Sequence, residues 1–129
     1  LLDKSKGSKS MNKENTAFSK SKHFAVRIVG LYRHLTETRN ETILAAQILR
    51  SGTSIGANLA EAECASSRRD FASKLSIAYK ECSETLYWLE LLHDTHYLGD
   101  AEYESIAGDC RELFRMLASS TKTLKDENE

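Results

Sequence analysis

The chain contains no proline in 129 residues, and its apolar residues return every three to four positions in four separate runs. Proline breaks helix interiors, so its absence leaves long helices unobstructed. A 3.6-residue apolar period marks amphipathic helices, and no strand-like alternation competes with it. The first run starts near Thr16 and places Ala25, Ile28, Val29, Tyr32 and Leu35 on one face. The second shows Leu44, Ile48, Gly52, Ile55, Leu59 and Ala62, with Asn40 as its expected N-cap. The third shows Phe71, Leu75, Ala78, Cys82, Leu86, Leu89 and His93, reaching about His96; Ser66 or Ser67 should cap it, with Asp70 near its positive end. Gly99 is expected to end it and Asp100 to cap the fourth run, carried by Tyr103, Ile106, Cys110, Leu113, Leu117 and Leu124. Short connections between four such helices predict an all-α, antiparallel up-down-up-down four-helix bundle. The stripes repeat near 3.5 residues, the period of shallow left-handed packing.

The expected organisation is an N-terminal arm over residues 1–15, disordered and in part foreign to the natural chain, since Met11 is a candidate start. The bundle follows over 16–125, and 126–129 form a frayed end. A domain of this size can bury roughly two-thirds of its unfolded surface and needs no staple. The cysteines, Cys64, Cys82 and Cys110, are far apart and form no CxxC pair. They read as small apolar residues of a reducing, cytoplasmic protein. Neither a signal peptide nor an apolar run of about 20 residues is visible, so no membrane partner is expected.

Charge is unevenly placed. Residues 1–35 hold eight Lys/Arg against Asp3 and Glu14; residues 100–129 hold eight Asp/Glu against four Lys/Arg. Such asymmetry can steer head-to-tail association or draw an anionic partner, though solvated terminal charge is the plainer reading.

The stretch SGTSIGANLAEAE, Ser51 to Glu63, falls where periodicity demands a helix interior. Each glycine there costs about 1 kcal/mol relative to alanine. Gly52 and Gly56 are one turn apart and, with Ser51, Ala45 and Ala60, form a smooth strip. Close approach of a neighbouring backbone recovers the cost through van der Waals contact. Asn58 and Glu61 lie beside the apolar face and need partners if buried. Arg50, Ser54, Glu81 and Glu84 are the candidates. The expected role of Asn58, Glu61, Glu81 and Glu84 is a polar network that sets helix register or subunit geometry.

Enzyme chemistry finds little footing. A di-iron bundle needs two Glu-x-x-His motifs; only Glu90-Leu91-Leu92-His93 occurs, and His93-x-x-His96 would at most hold a metal weakly at the surface. No nucleophile elbow or Walker A loop is present. No catalytic residue, metal or cofactor is expected. Arg50, Arg68 and Arg69 are candidate contacts for an anionic partner such as RNA, to which the lysine-rich arm and Arg27, Arg33 and Arg39 would add. Tyr79, Tyr87 and Trp88 fall off the main stripe of the third run. They either make a subunit contact or pack beneath the first helix or the 97–100 turn.

Two segments together resemble the signature of the four-helix bundle proteins encoded by 23S rRNA intervening sequences. One is Arg50 to Ala62, matching R-x-x-x-S-I-x-x-N-[IL]-A-E. The other runs from Asp70-Phe71 through Leu75, Ile77-Ala78 and Glu84 to Leu92, set against D-F-x-x-x-L-x-I-A-x-x-S-x-x-E. The likeness spans about Phe24 to Leu117. It implies an antiparallel bundle with no established enzymatic activity that assembles as a homopentamer. A related retroelement accessory protein forms a similar pentamer and binds nucleic acid and a reverse transcriptase. That relative is strongly basic, whereas this chain has a pI near 6.5, a departure that weakens the nucleic-acid reading. The glycine usual after the A-E pair is Ala62 here, so the second helix should run slightly further. On the resemblance, Tyr79, Tyr87 and Trp88 become expected subunit contacts.

Overall fold

The computed structural model describes residues 16–127, so the expected arm over 1–15 and the last two residues lie outside it. Four helices occupy the described chain: α1 Ala17–Glu37, α2 Ile43–Glu63, α3 Arg68–Asp94 and α4 Asp100–Glu127. Residues 126 and 127, expected in the frayed end, continue α4. None of these helices is long and apolar enough to cross a membrane.

Each helix packs on its neighbours in the chain, and α1 closes the ring against α4; the α1–α3 and α2–α4 pairs lie on the diagonals. Cross-helix partners run in opposite senses, as an up-down-up-down order requires. Along α2 and α3, Ser51 meets Thr85 and Glu61 meets Lys74. Along α3 and α4, Cys82 meets Cys110 and Arg68 meets Glu127. The core consists of fully buried side chains from all four helices, among them Phe24, Ile28, Ile48, Ile55, Leu89 and Leu113.

Helix entries follow local chemistry. Thr16 accepts from the Ser19 N–H at 3.1 Å. Ser67 accepts from the Asp70 N–H at 3.0 Å, and Asp70 accepts in return from the Ser66 N–H at 3.1 Å, which satisfies two otherwise orphaned donors. Asn40, in contrast, does not cap α2. It sits at φ 56, a left-handed conformation asparagine tolerates, and helps turn the chain between α1 and α2. The α2 entry is capped by Glu41, whose carboxylate accepts from the Leu44 N–H at 3.0 Å.

The end of α3 also departs from expectation. Gly99 is not in a left-handed conformation; His96 is, at φ 69. The His96 N–H donates to the His93 carbonyl at 3.0 Å and the Tyr97 N–H to the Leu92 carbonyl at 2.8 Å. This is a Schellman ending with histidine in the position glycine usually takes. The helix therefore stops at Asp94, short of His96.

Two stripes are rotated from their expected positions. On α1 the buried residues are Ser21, Phe24, Ile28, Leu31 and Leu35, while Ala25, Val29 and Tyr32 are half-buried flanks. α1 must face both α2 and α4, so its core face centres between them. On α3, Thr85 is buried and Leu86 only partly so; Phe71 is 37% exposed. His93 is half-buried, stacked on Tyr103 with ring centroids 4.2 Å apart and bonded through Nε2 to Asp100 at 2.7 Å.

Candidate functional site: the α2–α3 seam

The glycine-containing stretch divides its residues between two neighbours. Gly52 and Gly56 face α1: a Cβ on Gly52 would lie 2.8 Å from Ile28 Cγ1, and one on Gly56 3.0 Å from Ser21 Oγ. Ala45 is buried, but Ala60 is exposed and drops out of the strip. Ser51 faces the other way, toward α3. It is fully buried, and its hydroxyl accepts from Thr85 Oγ at 2.9 Å. Thr85 also lies 2.8 Å from the Glu81 carbonyl of its own helix. This hydroxyl pair was not anticipated, although the spacing Ala78, Cys82, Thr85, Leu89 places a threonine on the apolar stripe.

Directly outside that pair lies a charged cluster. Arg50 reaches from α2 to two carboxylates on α3, with Nη1 3.1 Å from Glu81 Oε2 and Nη2 on Glu84. The indole N–H of Trp88 donates to the same Glu84 oxygen at 2.9 Å. Glu81 and Glu84 are one turn apart, in phase with Trp88, so a single guanidinium can span both. The Trp88 N–H and the Arg50 guanidinium hold Glu84 below the usual carboxylate range, and the two carboxylates keep Arg50 more firmly protonated than a free arginine. A carboxylate held ionised in this way is a poor proton donor near neutrality. Its Oε2 is engaged in joining α2 to α3.

The four expected network residues thus separate. Glu81 and Glu84 act together with Arg50. Asn58 bonds within its own helix, its Nδ2 donating to the Ser54 carbonyl at 2.8 Å. Glu61 is exposed and pairs with Lys74 of α3 at 2.9 Å, an ion pair that raises the lysine's pKa. Both lie on α2 beyond the reach of the Arg50 cluster, because two to three helical turns separate Arg50 from them.

Of the candidate anion contacts, Arg50 is thus engaged, and Arg68 pairs with Glu127 at 2.8 Å. Arg69 is exposed at the start of α3. On α1, Arg27 bonds Asp109 at 2.7 Å and Ser105 Oγ at 2.9 Å. Of the aromatics, Tyr79 packs on Phe114 of α4 with centroids 5.0 Å apart. Tyr87 stands edge-on against Trp88, also at 5.0 Å, and remains 57% exposed. None of the three packs beneath α1, which lies diagonally across from α3. Among the described residues, no three His, Cys, Asp or Glu side chains converge as metal ligands would.

A family model described as 23S rRNA-intervening sequence protein matches residues 13–119 of this chain. The chain belongs to that family. In this member of the 23S rRNA-intervening sequence proteins, Arg50, Glu81 and Glu84 form one inter-helix cluster, and Gly52 and Gly56 seat α1. A solved structure of a protein with unknown function from the S23 ribosomal protein family of Bacteroides thetaiotaomicron is 53% identical, with a TM-score of 0.81. The match covers 83% of this chain and 99% of that one. A comparison with curated proteins returns no match.

Proposed function

We propose that this intervening-sequence protein is a non-enzymatic, cytoplasmic module that works by assembling with copies of itself, as a homopentameric scaffold. The observation that carries this reading is the apolar surface left uncovered by a complete bundle. Tyr87 on α3 is 57% exposed and Ile77 on the same helix 38%. Val26 on α1 is 66% exposed, and Ile43 at the start of α2 is 74% exposed. These side chains stand on three different helices, and unlike surfaces that meet head to tail make a heterologous contact, the kind that closes into rings. The Arg50–Glu84–Trp88 cluster holds the indole against which the exposed Tyr87 ring stands. Three free cysteines fit a reducing compartment.

An RNA-binding role for the assembled surface draws less support. Arg27, Arg50 and Arg68 are each paired with carboxylates of the same chain, and the formal net charge is −1. Sedimentation equilibrium tests the assembly. A mass about five times the 14.5 kDa chain is expected, falling on Tyr87→Glu substitution. A concentration-independent monomer would refute it. RNA retained at about 50 mM salt and released at higher salt would restore the nucleic-acid reading.

A further inference from the structure

The bundle core contains a pair of thiols that none of the preceding roles uses. Cys82 of α3 and Cys110 of α4 are both fully buried, with sulfurs 3.9 Å apart. Each sulfur also lies close to the other residue's backbone: Cys82 Sγ is 3.4 Å from the Cys110 carbonyl oxygen, and Cys110 Sγ is 3.6 Å from that of Cys82. Such reciprocal reach places the two helices in close approach at this level. A disulfide needs an S–S distance of about 2.05 Å. Rotation of the two side chains toward each other must supply the remaining shortening.

We propose that Cys82 and Cys110 are a latent inter-helix disulfide, a buried dithiol that a hydroperoxide oxidises so that α3 and α4 become covalently joined. One thiolate attacks the peroxide, the O–O bond breaks, and a sulfenic acid and an alcohol (water, from hydrogen peroxide) result. The second sulfur displaces the sulfenic oxygen, which leaves as water, and the S–S bond forms. Two thiol hydrogens and two electrons leave the protein for each peroxide consumed.

The surroundings explain why the pair stays reduced at rest. The neighbouring thiol and burial push the Cys110 thiol far above its ordinary range, so the closed bundle holds little thiolate. Oxidation therefore waits on local opening. The α1–α4 seam offers a place for it. There a groove of about 240 Å³, lined by Arg27, Leu31, His34, Leu98, Glu102 and Ile106, reaches to within about one turn of Cys110 along α4.

The test uses the Cys64→Ser protein, because Cys64 is exposed and would otherwise bridge between chains. Folded protein is exposed to hydrogen peroxide and analysed by mass spectrometry and thermal melting. The expected result is a loss of about 2 Da, with the Cys82 and Cys110 peptides linked in a non-reduced digest. The melting temperature should rise by roughly 10 °C, because the bond closes a long loop, and dithiothreitol should reverse the rise. Adding Cys110→Ala, or independently Cys82→Ala, should abolish both changes. The proposal is overturned if the thiols over-oxidise to sulfinic acids without linkage, or stay free in peroxide that links them after unfolding. A bond that lowers the melting temperature would overturn it too.

Discussion

Gly52 of α2 lies so close to Ile28 of α1 that an added methyl would stand 2.8 Å from Ile28 Cγ1 and 2.9 Å from Cγ2. Ile28 is fully buried and β-branched, so it cannot swing away. Gly52→Ala should therefore destabilise by roughly 1–3 kcal/mol, although helix propensity alone would favour it by about 1 kcal/mol. Gly30, also in a helix, has nothing within 4 Å of its would-be Cβ. Gly30→Ala should stabilise, by up to about 1 kcal/mol. Urea denaturation of both variants reads the contrast, and trimming Ile28 to alanine should erase the extra cost of Gly52→Ala. Equal effects at the two glycines would contradict the close approach.

The Ser51–Thr85 hydroxyl pair is buried between α2 and α3. Thr85→Val keeps the shape but strands the Ser51 hydroxyl away from water. The expected loss is about 1–3 kcal/mol. Ser51→Ala should cost less, since the Thr85 hydroxyl proton can then go to the Glu81 carbonyl 2.8 Å away. In the double variant the loss should fall below the sum of the two single losses. Additive losses in a double-mutant cycle would mean that the hydroxyls are not coupled.

At the end of α3, His96 holds a left-handed conformation at φ 69 on an exposed residue. That conformation costs an L-residue roughly 1–2 kcal/mol and glycine almost nothing. His96→Gly should raise stability by about 0.5–1 kcal/mol after the greater freedom of glycine in the unfolded chain is subtracted. Asn40→Gly, at φ 56, should gain less, because asparagine tolerates this region better. Thermal melts that rank the two the other way would count against the Schellman ending.

Glu84 is held below the usual carboxylate range, first by the Trp88 N–H and then by Arg50. A depressed folded-state value means that the stabilisation is present above the unfolded carboxylate pKa and is lost as pH falls through the folded one. With the side chain 36% exposed, the contribution is small. Trp88→Phe should raise the Glu84 titration midpoint more than Arg50→Met does, as followed by NMR of the side-chain carboxyl. The reverse order would assign the shift to the arginine.

Much of this architecture is legible along the chain because helical periodicity and capping are local. The α2 stripe from Ile48 to Ala62, the Ser67 cap and the core residues of α4 follow from spacing and residue type alone. The Arg50–Glu81–Glu84 cluster was also within reach, since its carboxylates are one turn apart and its arginine stands in the adjacent helix. Less accessible were Asn58 and Glu61, whose side chains take a carbonyl and a lysine outside that cluster. Ser54, whose carbonyl Asn58 takes, was among the candidate partners; Lys74, which pairs with Glu61, was not.

The sequence by itself determined that four helices form, roughly where each begins, and that α2 carries a surface too smooth to stand alone. Only the tertiary structure decided that Gly52 faces Ile28 while Ser51, its chain neighbour, faces Thr85. It also decided that Cys82 meets Cys110, and that a histidine rather than a glycine turns the chain out of α3. Consecutive helical residues point about 100° apart, so which neighbour each one meets depends on how all four helices rotate to fill a common core.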